Sequence, residues 1–175
     1  MNNYYEIEII MNDDKKIRLK LDYKEAPITV SNFINLIEQK YFDGVIFHRI
    51  IPSFMIQTGG YYIKDNTLYE KDEIKPIKGE FKSNGVENNI KHTLGVISMA
   101  RTSIKDSATS QFFICAADCP HLDGEYAAFG KTIDEESNKV VLDIAAQPTG
   151  YLSENFTDVP RYDVSIKTIN ILKSY

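Results

Sequence analysis

Apolar and polar residues alternate near both ends of the chain. Tyr5, Ile7 and Ile9 take every second position, Asn12-Asp13-Asp14 makes a turn, and Ile17, Leu19 and Leu21 resume the alternation, which predicts an antiparallel hairpin with one buried face. After Pro27, which suits the first turn of a helix, Val30, Phe33, Ile34 and Ile37 fall at i, i+3, i+4 and i+7. That stripe predicts a helix, and Asp43-Gly44 closes the region. Residues 45–56 are β-rich. Residues 95–100 and 111–116 read as short buried strands joined by the polar crossing RTSIKDSATS, and 127–132 as another strand. A second helix is predicted around 137–146, with Val140, Val141, Ile144 and Ala145 as its stripe and Gln147-Pro148-Thr149-Gly150 as its stop. In 164–172 the apolar phase changes between Val164, Ile166 and Ile169, Ile171, which predicts a bulge or burial on both faces. Residues 64–89 are polar and read mostly as loop.

Strands at both ends with only two helices predict an all-β arrangement closed on itself, since an open sheet of this size would leave unpaired edges and an apolar face. The helices are expected to close the barrel's open ends. The 175 residues and 43% hydrophobic content suit one domain spanning 1–175, able to bury roughly 70% of its unfolded surface without a staple. A net charge of -5 with scattered lysines argues against nucleic acid and against an anionic membrane as partner. The opening MNNYYEIEII carries two acids and no apolar core long enough for a signal peptide. No apolar run approaches membrane-spanning length. The cytoplasm is therefore the expected compartment. Two cysteines, Cys115 and Cys119, agree with a reducing one as free thiols.

The chemistry concentrates in FHRIIPSFMIQTGG, Phe47 to Gly60. Read with period two, Phe47, Arg49 and Ile51 share one strand face, and after the Pro52-Ser53 turn Met55 and Gln57 share another. A cation set against apolar walls sheds water and bonds more strongly to whatever dipole is offered to it. An apolar ring next to an amide would fit such a surface. Gln111 and Phe113 likewise share a face, and glutamines at these parities would be costly to bury unpaired. Alternative chemistries fit less well. His48, His92 and His121 lie in separate segments without zinc-ligand spacing. Ser98, Ser110 and His48 lack the GxSxG elbow of a hydrolase. His48 reads as a hydrogen-bonded structural residue beside the groove.

The segments FHRIIPSFMIQTGG, GVISMA, SQFFI and LDGEYAAFGK, in this order and spacing, resemble the cyclophilin family of peptidyl-prolyl cis/trans isomerases, and the similarity runs from about Tyr4 to Leu172. The resemblance implies an eight-stranded antiparallel β-barrel capped by two α-helices, with a substrate groove on its outer face. It makes Arg49 the catalytic cation, acting with Phe54 and Gln57. Phe54, Met55, Phe113 and Leu122 become the proline pocket, Gln57 and Gln111 the polar groups, and Ala100 and Arg101 the peptide track. Arg101 stands where the family usually has asparagine, which changes the charge at the rim. His121 stands where many members have tryptophan and Tyr126 where many have histidine, which alters the pocket's far wall and implies weakened binding of cyclosporin. The implied partners are proline-containing polypeptides, the implied state a monomer, and no cofactor or metal is required.

An X-Pro amide resists rotation by roughly 18 to 20 kcal/mol and exchanges uncatalysed in tens to hundreds of seconds. In the twisted transition state the nitrogen regains its lone pair, so a guanidinium aimed at it makes a hydrogen bond that the planar ground state lacks. A noncatalytic proline-peptide binding module is the alternative reading, though a pure binder has no need of such a cation.

Overall fold

The computed structural model describes residues 2–175. The predicted N-terminal hairpin is formed by β1 (Tyr4–Met11) and β2 (Lys16–Asp22), with Ile7, Ile9, Ile17, Leu19 and Leu21 fully buried on one face. Helix α1 (Pro27–Glu38) follows with proline in its first turn, then β3 (Arg49–Ile51), β4 (Met55–Thr58), β5 (Tyr61–Lys64), β6 (Thr67–Glu70), β7 (Val96–Met99) and β8 (Phe112–Cys115). Strand β9 (Ala128–Thr132), helix α2 (Glu135–Ala145), β10 (Thr149–Gly150), β11 (Val159–Pro160) and β12 (Ile166–Ser174) complete the chain.

Eight of these strands form one antiparallel sheet in the order β12-β1-β2-β9-β7-β8-β4-β3. The sheet is curled into a half-barrel, and "closed" overstates it, because no continuous ladder joins β3 to β12. The seam is spanned instead by a few backbone bonds. Gly44 N donates to Ile166 O at 2.8 Å, Ile166 N to Val45 O at 2.8 Å, and Phe47 N to Val164 O at 2.9 Å. The phase change foreseen in the last strand is a pair of register shifts. Met11 faces Ile166 and Ile10 faces Thr168, so Lys167 is the extra residue, and Leu172 is skipped in the same way. The Lys167 bulge lets Ile166 and Ile169, three apart, both face the core.

The two helices drive their stripes into that core. Val30, Phe33 and Ile37 of α1 join Val141 and Ile144 of α2 in the apolar cluster that also holds Ile50, Ile56, Ile97, Phe112, Ile114 and Phe129 from the strands. Helix α2 starts two residues before the predicted point because Asp134 is its N-cap, accepting from Ser137 N at 2.8 Å. Helix α1 has no side-chain cap of its own. Glu80, distant in sequence and buried, serves instead: its Oε1 accepts from Thr29 N at 2.6 Å and from Thr29 Oγ1 at 2.7 Å.

The span 64–89, read as mostly loop, contains β6 and a 3-10 turn at Lys82–Asn84. Strands β5 and β6 form a hairpin around Asp65 and Asn66, both with positive φ. That two-residue turn of left-handed formers was the available signal.

Candidate active site

Period-two alternation splits the sheet into two faces, and the outer one carries the site. On β4, Ile56 enters the main core while Met55 and Gln57 face out. On β8, Phe112 and Ile114 go in while Phe113 and Cys115 go out, and on β3 Ile50 points in between Arg49 and Ile51. A second apolar cluster forms on this outer face from Met55, Val96, Phe113, Cys115, Cys119, Leu122 and Ala128, with Phe54, Ala100 and Tyr126 packed against it. Register brings the polar groups to it: Arg49 pairs with Gln57 across β3 and β4, and Gln57 with Phe113 across β4 and β8.

The result is a pocket of about 150 Å³ lined by Arg49, Phe54, Met55, Gln57, Ala100, Arg101, Phe113, Leu122 and Tyr126. These are the predicted site residues except Gln111 and His121. Gln111 stands behind the lining. Its Oε1 accepts from Gln57 Nε2 at 3.0 Å, and Gln57 Oε1 in turn accepts from Arg49 Nη1 at 3.4 Å. Gln111 thus orients the Gln57 amide, and the relay leaves the Gln57 oxygen directed at the guanidinium. Gly60 makes room for this, since a Cβ there would stand 2.7 Å from Gln111 Nε2. His121 lies outside the pocket. It is exposed in the middle of the 3-10 turn Pro120–Leu122, with its ring 5.7 Å from that of Phe54. A larger cleft, about 350 Å³ near Gly44 and Val159–Ser165, has none of these groups.

Arg49 is exposed, with its guanidinium carbon 5.8 Å from the Phe54 ring centroid. Arg101 is held quite differently. It lies between two aromatic rings and is bonded to carbonyls, so its charge is not presented freely at the rim as the substitution from asparagine suggested. His48, next to Arg49, is buried against Tyr61 and Phe156 at 4.7 and 6.3 Å between ring centroids. The hydrogen-bonded role foreseen for it is corrected at one atom, because Nδ1 has no partner. Burial, and then repulsion from Arg49, pushes its pKa down to about 4, so at neutral pH it adds no charge beside the catalytic candidate.

One arrangement escaped the sequence reading. His92 is buried, with Nε2 2.8 Å from Ser98 Oγ and Nδ1 3.1 Å from Asp123 Oδ1, which also accepts from His92 N at 2.6 Å. Its ring stacks on Phe113 at 6.0 Å with an 18° interplanar angle. Ser, His and Asp in this order would suggest acyl transfer. Ser98 is fully buried, however, and no substrate reaches it. Burial holds the His92 pKa down despite the Asp123 hydrogen bond, which favours the neutral ring, with Nδ1–H donating to Asp123 and Nε2 accepting from Ser98. The triad is therefore a support under the pocket floor. The two cysteines are free and buried, and burial pushes both thiols up, so neither is a nucleophile at neutral pH.

A model of the cyclophilin type peptidyl-prolyl cis-trans isomerase/CLD family matches residues 6–171. The chain belongs to this family. Among similar proteins, peptidyl-prolyl cis-trans isomerase A of Dickeya dadantii is 38% identical over 165 residues, covering 90% of this chain and 80% of that protein. An Acinetobacter baylyi peptidyl-prolyl cis-trans isomerase is 42% identical over 160 residues, 89% of this chain and 79% of its own. The isomerase B of Escherichia coli K12 is 35% identical over 177 residues, covering 97% and 95%. A crystal structure of a Cryptosporidium parvum cyclophilin type isomerase in the presence of the dipeptide Ala-Pro superposes with a TM-score of 0.74 at 27% identity, covering 96% of this chain and 99% of that one. The cyclophilin described here is an enzyme of that kind, a peptidyl-prolyl cis-trans isomerase.

Proposed function

We propose that this cyclophilin turns X-Pro bonds by noncovalent stabilisation of the twisted amide, with Arg49 as the hydrogen-bond donor to the prolyl nitrogen. The observation that carries this reading is the juxtaposition of an exposed guanidinium, steadied by Gln57 at 3.4 Å, with an apolar pocket of about 150 Å³ floored by Phe113. Met55, Phe113, Leu122 and the Phe54 ring hold the proline ring, while Arg49, Gln57 and the backbone near Ala100 meet the rotating carbonyl and the nitrogen. Fixing one side of the bond and freeing the other removes orientational cost. The charged bond, formed only when the amide twists, lowers the barrier selectively. Lowering it by about 7 kcal/mol accelerates exchange about 10⁵-fold, more than one hydrogen bond supplies, so the pocket and the guanidinium share the work. Nothing is transferred, and the reaction asks for no cofactor.

Proline-containing polypeptides are the substrates, a reading supported by the Ala-Pro dipeptide present with the Cryptosporidium parvum relative. In unfolded chains such bonds limit folding, so the enzyme assists folding, and a monomer suffices for this, since one chain supplies a complete groove. Its free, buried cysteines fit a reducing cytoplasm. Cyclosporin binds weakly, because His121 stands at the rim and builds no far wall.

Exchange NMR on a short Ala-Pro peptide tests the assignment. Arg49→Ala is expected to lower kcat about 10²- to 10³-fold while peptide binding persists. Undiminished exchange in that variant would remove Arg49 from the mechanism, and an unmodified protein that bound the peptide without accelerating exchange would leave a binding module.

A further inference from the structure

We propose that Arg101 is a positioning residue of the proline pocket, a brace that fixes the Tyr126 wall and so sets how firmly a prolyl ring is held. The proposal rests on the pocket reading above. The guanidinium carbon lies 4.8 Å from the centroid of the Phe81 ring and 4.7 Å from that of Tyr126, so the cation is sandwiched. Phe81 is buried and cannot yield, whereas Tyr126 lines the pocket and meets Phe113 edge-on at 5.8 Å. Nε and Nη2 both donate to Glu125 O, at 3.1 and 2.7 Å, and Nη1 donates to Thr102 O at 2.9 Å.

One side chain thereby ties together three segments that share no strand: the residue before the Lys82–Asn84 turn, the exit of β7, and the turn into β9. The same turn is held from its other side, where Ser83 N donates to Gly124 O at 2.9 Å and Ser83 Oγ to Glu125 Oε2 at 2.9 Å. Without Arg101, Tyr126 would keep its backbone anchor and its edge contact with Phe113 and lose the cation stacked over its ring. Only a planar fork can stack on both rings while donating two bonds to one carbonyl, so lysine is no substitute. The wall contacts the ring and not the reacting amide, so its loosening weakens ground state and transition state alike, which raises KM and spares kcat.

The test is steady-state isomerisation of an Ala-Pro peptide by Arg101→Ala and Arg101→Lys, with thermal melts to confirm that each variant is folded at the assay temperature and Arg49→Ala run in parallel. Both Arg101 variants are expected to raise KM about tenfold with kcat within about twofold. A lysine variant with unmodified KM would overturn the proposal, because charge alone would then suffice. So would a fall in kcat at constant KM, or a lowered melting temperature with both kinetic parameters unmoved. Arg49→Ala with full kcat would instead defeat the pocket reading itself, whatever Arg101 does.

Discussion

Replacing His48 by phenylalanine should protect the fold against acid, by an amount that follows from where the imidazole sits. The residue is 6% exposed, packed on Tyr61 and Phe156, and its Nδ1 makes no hydrogen bond. Burial first, and the Arg49 guanidinium second, push its pKa down to about 4, while in the unfolded chain it returns to roughly 6.5. The unfolded state therefore binds the proton that the native state refuses. The stability contributed by neutral His48 is complete above pH 6.5 and is lost as pH falls from there toward 4. At 1.36 kcal/mol per pH unit, with the native site half protonated at the lower end, the loss by pH 4 is about 3 kcal/mol. Urea unfolding of the unmodified protein and His48→Phe at pH 7, 6, 5 and 4 measures it. Carboxylate titrations are common to both proteins, so the difference between the two stability curves isolates His48. That difference should move by about 3 kcal/mol in favour of the variant between pH 7 and 4. Parallel curves would refute the argument from burial. Imidazole NMR in Arg49→Ala, where the His48 midpoint should rise, checks the repulsion separately.

Two further outcomes are expected. Gly60→Ala would set a methyl group 2.7 Å from Gln111 Nε2 and force that side chain off Gln57; kcat for an Ala-Pro peptide should fall about fivefold, the worth of one such bond, and unchanged kcat would show that the glutamine relay does not steady Arg49. Glu80→Ala would leave Thr29 N and Oγ1 at the start of α1 without their buried acceptor, costing about 2 to 3 kcal/mol by urea unfolding; a loss below about 0.5 kcal/mol would mean that water replaces the carboxylate.

Much of this architecture was legible because it is periodic. The alternation through Ile7, Ile9, Ile17, Leu19 and Leu21 and the stripes of both helices predicted elements that the structure contains. Parity paired Met55 with Gln57 and Gln111 with Phe113, and the resemblance to cyclophilins joined them to Arg49; Arg49, Met55, Gln57 and Phe113 do share one pocket. What was not legible depends on contacts between distant segments. Nothing local in Glu80 says that it caps a helix starting at Pro27. His92, Ser98 and Asp123 are drawn together only by the packing of β7 and the Pro120–Leu122 turn, and each alone looks unremarked. Arg101 read as a rim charge because its aromatic partners, Phe81 and Tyr126, come from two other segments. The β5–β6 hairpin was missed for a different reason. Its Asp65-Asn66 turn was visible, but the surrounding charges masked two short, mostly exposed strands.

The pairing of β1 with β12 has a kinetic side. The partners lie more than 150 residues apart, so the β1–β2 hairpin emerges during synthesis with both edges open, and its β1 edge waits longest, until β12 is made. At roughly 5 to 20 residues per second, that wait lasts on the order of ten seconds or more. Through that interval Ile7 and Ile9 have an incomplete core to enter, and the exposed edge of β1 can template strands from other nascent chains. Glu6 and Glu8, which alternate with those isoleucines, and Lys20 on β2 put charges on the hairpin's other face, a device that discourages pairing with other chains. Pairings so distant in sequence are expected to make this prolyl isomerase itself a slow folder, with that first hairpin as the part that must tolerate being alone.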